Sequence, residues 1–460
     1  MEIFLIKALQ LILCFALLVV LHEAGHFFFA KLFNIRVEKF CIFFDPKFSL
    51  KLFSYKGTDY HIGWIPLGGY VKISGMIDES MDTEQMKQPV KDYEFRAKPA
   101  WQRLLVMIGG VLFNLITAVV IYIAMLYTWG ETYIPVKNYT HGFTYNALAK
   151  EAGFVDGDIP LRTDIATFDR IDSDFYRNIC ESRNITVLRQ GAEVTFDLPE
   201  SLTLLQVADT KTIPPFIAPT LPSVIDSVTA GSPAQIAGIN KGDQLLSIDD
   251  FKFTTWNEFA LEMSRRNDIL ATGNAEDSLR LSHITITVAR ANSQTIDTLQ
   301  VTFNSDYQFG FYMRNAAIDY ETVTRQYSFF ESIPAGIDRA VNTLTGYVSD
   351  LKYVFTAEGA SSIGSFGTIG NLFPATWDWQ RFWSLTAFIS LILAVMNILP
   401  IPALDGGHVF FLLVEIILRR KPSDAFMERA QMFGMILLFG LMALALFNDC
   451  SNFGVFDIFK

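Results

Sequence analysis

Four stretches of this 460-residue chain run almost without charge for long enough to cross a bilayer as helices: residues 1–32, 103–129, 381–418 and 428–448. About 20 apolar residues suffice for one crossing. The first run is too long for a signal peptide and has no small-residue cleavage pattern behind it, so it is expected to be retained. The third is long and broken by "LPIPALDGG". Between the first two runs, residues 33–102 change period. "VEKFCIFF", "FSLKLFSY" and "YHIGWIPLGGYVKI" read as strands, separated by turns at "DPK" and "KGTD". They are unusually apolar for a loop. Non-helical backbone lies at membrane depth only where protein covers it or it lines a wet cavity, so a sheet dipping into such a cavity is expected.

The long segment between the second and third runs alternates strand and helix patterns. "PSVIDSVTAGSPAQIAGINKGDQLLSIDDFKFTTWNEFALEMSRR" followed by "HITITVAR" resembles a PDZ domain. Upstream, "AKEAGFVDGD" stands where "AQIAGINKGD" stands in this stretch, with "NITVLRQ" and "AEVTFDL" as the paired strands behind it. The match is weaker there, because Pro160 falls in the strand after the turn. Two PDZ-like units in tandem, 130–214 and 215–318, are expected. The prolines of "TIPPFIAPTLP" favour an extended linker between them. A PDZ fold takes a partner by adding its strand to a sheet edge, though plain spacers would carry the same pattern. Within 319–380, Ile333 to Phe355 reads as an amphipathic helix on the membrane surface, with Ile337, Val341, Leu344, Val348, Leu351 and Phe355 at helical spacing. A core helix is the other reading.

Composition narrows the class. Apolar residues make up 51% and charged residues 18% of the chain, which fits a protein lying partly in lipid. A net charge of -11, with no basic tail or low-complexity tract, excludes a general nucleic-acid binder. Cys14, Cys41, Cys180 and Cys450 are scattered and form neither a zinc ribbon nor a disulfide framework. Basic residues set the orientation: Lys31, Arg36, Lys39, Lys47, Lys98 and Arg103 crowd the first connection, and Arg419 to Lys421 the last. Both connections should therefore be cytoplasmic, and the long central segment and both termini extracytoplasmic.

The chemistry sits where lipid tolerates it least. "VLHEAGHFFFAKL" places His22 and His26 four residues apart, so on a helix both imidazoles face one point, with Glu23 beside them. In this pattern two histidines hold zinc and the glutamate is the base toward the attacking water. "FFFAKLFN" offers no third ligand nearby, so that ligand must come from elsewhere. "NILPIPALDGG" supplies Asp405 at membrane depth, where an acid is expected to have a partner. As the cap of the helix that follows, Asp405 would have a structural role alone, and the two roles can coexist.

These two motifs, in this order, resemble those of the site-2 protease family of intramembrane zinc proteases. The resemblance covers nearly the whole chain. It implies a polytopic α-helical membrane protein of four transmembrane helices, with a membrane-associated β-rich cytoplasmic loop and two tandem extracytoplasmic PDZ-like α+β domains. It also implies a zinc metalloendopeptidase that cleaves transmembrane segments of single-pass proteins. Anti-sigma factors or remnant signal peptides, trimmed beforehand outside the membrane, would be substrates of that kind. By resemblance His22, His26 and Asp405 correspond to the Zn2+ ligands and Glu23 to the general base. Asn397 corresponds to a residue that holds substrate or the developing oxyanion. Gly68, Gly69, Tyr70 and Val71 of "IPLGGYV" correspond to the edge that takes the unwinding substrate as an added strand. Partners would be the lipid bilayer and single-pass substrates, whose extracytoplasmic parts the PDZ-like domains contact or screen. The expected location is a bacterial inner membrane, with PDZ-like domains periplasmic and the active site toward the cytoplasm. A metal transporter needs no glutamate in the base position, and a catalytically silent scaffold would have lost a ligand or the base. Neither reading fits the intact motifs.

Overall fold

The computed structural model describes residues 2–76, 88–209, 212–272, 280–293, 295–303, 308–314, 319–356, 364–421 and 423–452. The chain forms two compact units, one of Met1–Gly130 with Gln326–Lys460 and one of Glu131–Arg325. In the first unit, α1 (Glu2–Leu32) buries Gln10, Cys14, Leu18, Gly25, His26 and Ala30. That is one narrow stripe near i, i+4 spacing; the rest of its apolar surface is left outward, as in a helix that faces lipid. The strands β1 (Val37–Phe44), β2 (Leu50–Tyr55), β3 (Thr58–Ile62) and β4 (Ile65–Ile73) follow, in the sheet order β2-β3-β1-β4. The run "YHIGWIPLGGYVKI", expected as one strand, divides at Gly63. The Gly63 and Trp64 N–H groups donate to Ile42 and Phe44 oxygens at 2.8 and 3.1 Å, and a Cβ at Gly63 would strike the Phe43 and Phe44 carbonyls. The chain thereby crosses β1, and β3 and β4 flank it on opposite sides, parallel and antiparallel respectively. α2 (Ala100–Trp129) packs on α1 so closely that a Cβ on Gly25 would strike the Gly109 carbonyl. Gly130 ends this helix with φ 67°.

The second unit opens with β5 (Glu131–Tyr133) and closes with β17 (Val323–Arg325), which pair with each other. Between them the chain runs twice through one pattern. The first pass is β6 (Phe143–Tyr145), α3 (Ala147–Glu151), β7 (Ile159–Thr163), α4 (Ser173–Glu181), β8 (Asn184–Arg189), β9 (Ala192–Asp197), α5 (Leu204–Val207) and β10 (Ile217–Pro219). The second is β11 (Ile225–Val228), α6 (Pro233–Ile236), β12 (Gln244–Ile248), β13 (Phe251–Lys252), α7 (Trp256–Thr272), β14 (His283–Ala289), β15 (Ile296–Thr302) and β16 (Phe311–Met313). In each pass the last strand returns to the first, β10 to β6 and β16 to β11, and the middle strands form the order β7-β8-β9 or β13-β12-β14-β15. Each has its own core, around Phe143, Phe154 and Phe175 in one and Leu245, Ile286 and Val288 in the other. The proline-rich stretch expected as a linker is extended, yet it is paired, because β10 lies within it. Pro160 is accommodated in the edge strand β7, beside a register shift.

The first unit resumes with α8 (Phe329–Asp350), started by a capping box between Ser328 and Glu331. It begins before Ile333, and Leu351–Phe355 tighten into a 3-10 turn in place of continuing the helix. Its packed face is Ser332, Gly336, Ala340 and Gly346, small residues that let it approach α2. The apolar positions Ile337, Val341 and Val348 point outward. α9 (Phe366–Leu372), α10 (Trp379–Ile398), α11 (Asp405–Leu418) and α12 (Asp424–Asn452) complete the unit. Among the described residues, four helices are long and apolar enough to cross a membrane: α1, α2, α10 and Phe426–Ser451 of α12. The broken third run resolves into α10 and α11; the 14 residues of α11 rise only about 21 Å, too short to cross alone. Among the described residues no cysteine forms a disulfide.

Candidate metal centre

His22 and His26 lie one turn apart on α1, with their rings edge to face and their Nε2 atoms 3.2 Å apart. Asp405, the first residue of α11, brings its Oδ2 to 3.2 Å from His22 Nε2 and 3.3 Å from His26 Nε2. Ligand atoms around a four-coordinate zinc with bonds of about 2.0–2.1 Å stand about 3.3 Å apart. The three atoms therefore match one triangular face of such a site, and the fourth corner is left to water or substrate. Asp405 Oδ2 is buried and has no hydrogen-bond partner, an arrangement that a cation would complete. Among the described residues, this is the only trio of histidine, cysteine or acidic side chains with ligand atoms so close together. Asp405 does not cap α11 either: Leu404 holds the cap position, with no side-chain cap bond.

Two local devices set this geometry. The first is the loop between α10 and α11, folded on itself by bonds from the Ile401 N–H to Leu399 O at 2.7 Å and from the Leu404 N–H to Ile401 O at 3.1 Å. Gly406 and Gly407 sit where any Cβ would strike the carbonyls of Leu399 and Ile401, and Ala403 turns the chain at φ 82°. The second is α2. Gly110 lies where the rings of His22 and His26 pass, so a Cβ there would strike both. The Val106 carbonyl is 2.9 Å from His26 Nδ1. It accepts the Nδ1–H and leaves Nε2 with the lone pair that a metal needs.

A cavity of about 750 Å³ opens beside the trio. It is lined by Glu23, by Asn397 at the end of α10, and by Gly68, Gly69, Tyr70 and Val71 of β4. All the residues that sequence reasoning singled out thus come to one place. The glycines are not a turn; they lie within β4, the edge strand of its sheet. The direction a Cβ would take is filled at both, by the Phe44 ring at Gly68 and by the Cys41 carbonyl and Val19 at Gly69. Asn114 of α2, His408 of α11 and Gln431 of α12 line the same cavity and were missed. Asn114 could have been noticed as a lone amide inside "MIGGVLFNLITAVV". A further ion pair ties the start of α2 to the last turns of α11, Arg103 Nη2 to Glu415 Oε1 at 2.5 Å.

Membrane-crossing helices around a helix-borne His-Glu-x-x-His, closed by a distant aspartate, place the chain among membrane metalloproteases. Whole-chain comparisons narrow this class. The model of peptidase family M50 matches residues 10–441. The regulator of sigma-E protease RseP of Escherichia coli strain K12 is 28% identical over 476 residues, 96% of this chain and 97% of that protein. The regulator of sigma E protease of Haemophilus influenzae is 27% identical over 487 residues, 95% of this chain and 97% of that protein. A Vibrio cholerae protein whose name includes the words zinc metalloprotease is 26% identical over 469 residues, 96% of this chain and 97% of that protein. The chain belongs to peptidase family M50 and is a zinc metalloprotease of the membrane.

Proposed function

We propose that this protease hydrolyses peptide bonds inside transmembrane segments of single-pass proteins, with His22, His26 and Asp405 as the zinc ligands and Glu23 as the general base. The observation that carries the reading is the triangle of ligand atoms, 3.2 to 3.3 Å on each side, at the wall of a cavity that Glu23 also lines. Zinc bound there supplies a Lewis acid that polarises a peptide carbonyl and lowers the pKa of water. Glu23 takes a proton from the attacking water and later passes it to the leaving amine. Asn397 holds the substrate backbone or the developing oxyanion through its amide. A helical substrate hides its scissile carbonyl in its own hydrogen bonds. The outer edge of β4, residues Gly68 to Val71, replaces those bonds with strand pairing.

The two repeated passes of the second unit act as tandem PDZ-like domains. The return of β10 to β6 and of β16 to β11 supports this reading. They contact or screen extracytoplasmic parts of substrates. The centre faces the cytoplasm of a bacterial inner membrane and the PDZ-like domains are periplasmic, a reading that the basic connections support. The relatives named as regulators of sigma-E protease point to membrane-anchored regulators of sigma factors as substrates, with remnant signal peptides as a second group. The test is cleavage of model single-pass substrates by the purified chain in detergent, with zinc counted by elemental analysis. Glu23→Gln should lower turnover by about 10²–10⁴-fold with zinc content near wild type. Loss of zinc in that variant would make Glu23 a ligand and overturn its role as base.

A further inference from the structure

We propose that Asn114 is a positioning residue for the metal centre: its side-chain carbonyl accepts the Nδ1–H of His22 and holds the ring with Nε2 turned toward Asp405. The proposal rests on the assignment of His22, His26 and Asp405 as zinc ligands.

Asn114 has no exposed surface, in the middle of a helix that crosses the membrane. A buried amide in such surroundings is unfavourable unless it is bonded. Its partner is His22, whose Nδ1 lies 3.2 Å from the amide. The arrangement is one half of a repeated device. Val106, Gly110 and Asn114 follow one another at i, i+4 on α2, opposite His22 and His26, which have the same spacing on α1. Val106 offers its main-chain carbonyl to Nδ1 of His26 at 2.9 Å, Gly110 leaves room for both rings, and Asn114 meets Nδ1 of His22. Each imidazole thus meets α2 with the nitrogen remote from Asp405. Ser390 of α10, itself buried, donates its hydroxyl to the Asn114 main-chain carbonyl at 2.8 Å and ties that turn of α2 in place.

The orientation of the amide follows from the chemistry. As placed, Nδ2 faces His22 and Oδ1 is buried without a partner. The two ends of an amide have the same shape, and their assignment follows from the protonation of the partner. Either orientation leaves one amide atom unpartnered, so counting bonds does not choose between them. Ligation through Nε2 does choose, because it requires the proton on Nδ1, and a proton there calls for an acceptor. The Asn114 amide then stands with Oδ1 toward His22, doing for that ring what the Val106 carbonyl does for His26.

The experiment measures zinc affinity of the full chain in detergent by competition with a chromophoric chelator, for wild type, Asn114→Leu, Asn114→Asp and His22→Ala. It adds the visible spectrum of the cobalt-substituted proteins and the melting temperature of each metal-free protein. Leucine fills the same space without an acceptor and should weaken zinc binding about 10–100-fold, the usual effect of losing an outer partner of a histidine ligand. Aspartate accepts the same N–H and should hold affinity within a few-fold of wild type, with a wild-type cobalt spectrum. Wild-type affinity in Asn114→Leu would overturn the proposal. So would equal losses in the leucine and aspartate variants, or losses that follow the metal-free melting temperatures. His22→Ala separates the two layers of the argument: if it binds zinc like wild type, the ligand assignment itself fails, and the Asn114 role with it.

Discussion

Both compact units hold acids largely withdrawn from solvent, and their partners differ. In the Glu131–Arg325 unit, Asp158 of "VDGD" and Asp243 of "NKGD" occupy matching places in the two passes. Asp158 accepts from Arg189 Nε and Nη2 at 2.8 and 2.7 Å and from the Val155 N–H at 2.9 Å. Asp243 accepts from Arg290 Nη1 at 2.7 Å and from the Asn240 N–H at 3.0 Å. In the membrane unit Arg103 gives Glu415 the same kind of partner. Asp405 differs from all three, for among the described residues its close partners are two imidazoles and no lysine or arginine. A permanent cation from the chain makes a buried acid a fixture of the fold. Two imidazoles supply that charge only with a proton or a metal, and their convergence with Asp405 on one point has the spacing of a metal site.

The largest expected effect separates these classes outright. Asp405→Ala removes one of the three proposed ligands and should abolish both stoichiometric zinc and peptide hydrolysis, whereas Arg189→Met should leave zinc content at the wild-type level. Elemental analysis of both variants in parallel makes the comparison. If Asp405 were only a helix cap, its loss would cost about 1 kcal/mol of stability and spare the metal. Full zinc in Asp405→Ala would therefore dissolve the distinction between the two kinds of aspartate.

How much of this was legible in the sequence depended on how local the signal is. His22, Glu23 and His26 were readable because helical spacing alone brings them together, and Asp405 because an acid between two apolar runs needs a partner. The four long apolar helices were readable from length. The division of β3 from β4 was not, because the strand ends at Gly63 and Trp64 through their bonds to Ile42 and Phe44, which lie on another strand. The face of α8 that meets α2 left no pattern to read: large apolar residues dominate its spacing, while the helix approaches α2 through the small residues Ser332, Gly336 and Ala340. β10 was hidden in a proline-rich stretch because strand pairing with β6 leaves no period in three residues. Asn114 carried a signal as a lone amide in a membrane helix, but its partner on α1 appears only once the two helices cross.

The next effect in size tests the fixed pairs. Removing the arginine from a buried pair leaves an uncompensated carboxylate, so Arg189→Met and Arg290→Met should each destabilise the Glu131–Arg325 unit by about 3–5 kcal/mol. The readout is urea-dependent proteolysis of that unit in the full chain, with zinc content monitored as the unchanged quantity. Combining Arg189→Met with Asp158→Asn should recover part of the loss, since the charge left unpaired in the single variant is then gone. No recovery in the double variant would mean that packing by the arginine stem, and not its charge, holds this unit.

The smallest effect concerns the edge strand β4 and sharpens the comparison within the membrane unit itself. Gly68 and Gly69 are adjacent and both lack a side chain, yet what each would meet differs. A methyl group at Gly68 runs into the far end of the Phe44 ring, which can swing aside, whereas one at Gly69 meets the Cys41 carbonyl 2.8 Å away, backbone held in β1. Gly69→Ala should therefore destabilise the protein more than Gly68→Ala, with overpacking of this kind costing about 1–3 kcal/mol. Phe44→Ala combined with Gly68→Ala should restore stability relative to the Gly68 variant bearing the full ring only if the ring is the obstacle. Thermal unfolding of these three variants and the wild type, with zinc content as the control, decides this. Substrate cleavage then adds a separate reading: if β4 pairs with substrate, Gly68→Ala should lower turnover beyond what its stability loss predicts, and equal losses in both measures would show that this glycine serves only the packing of the sheet.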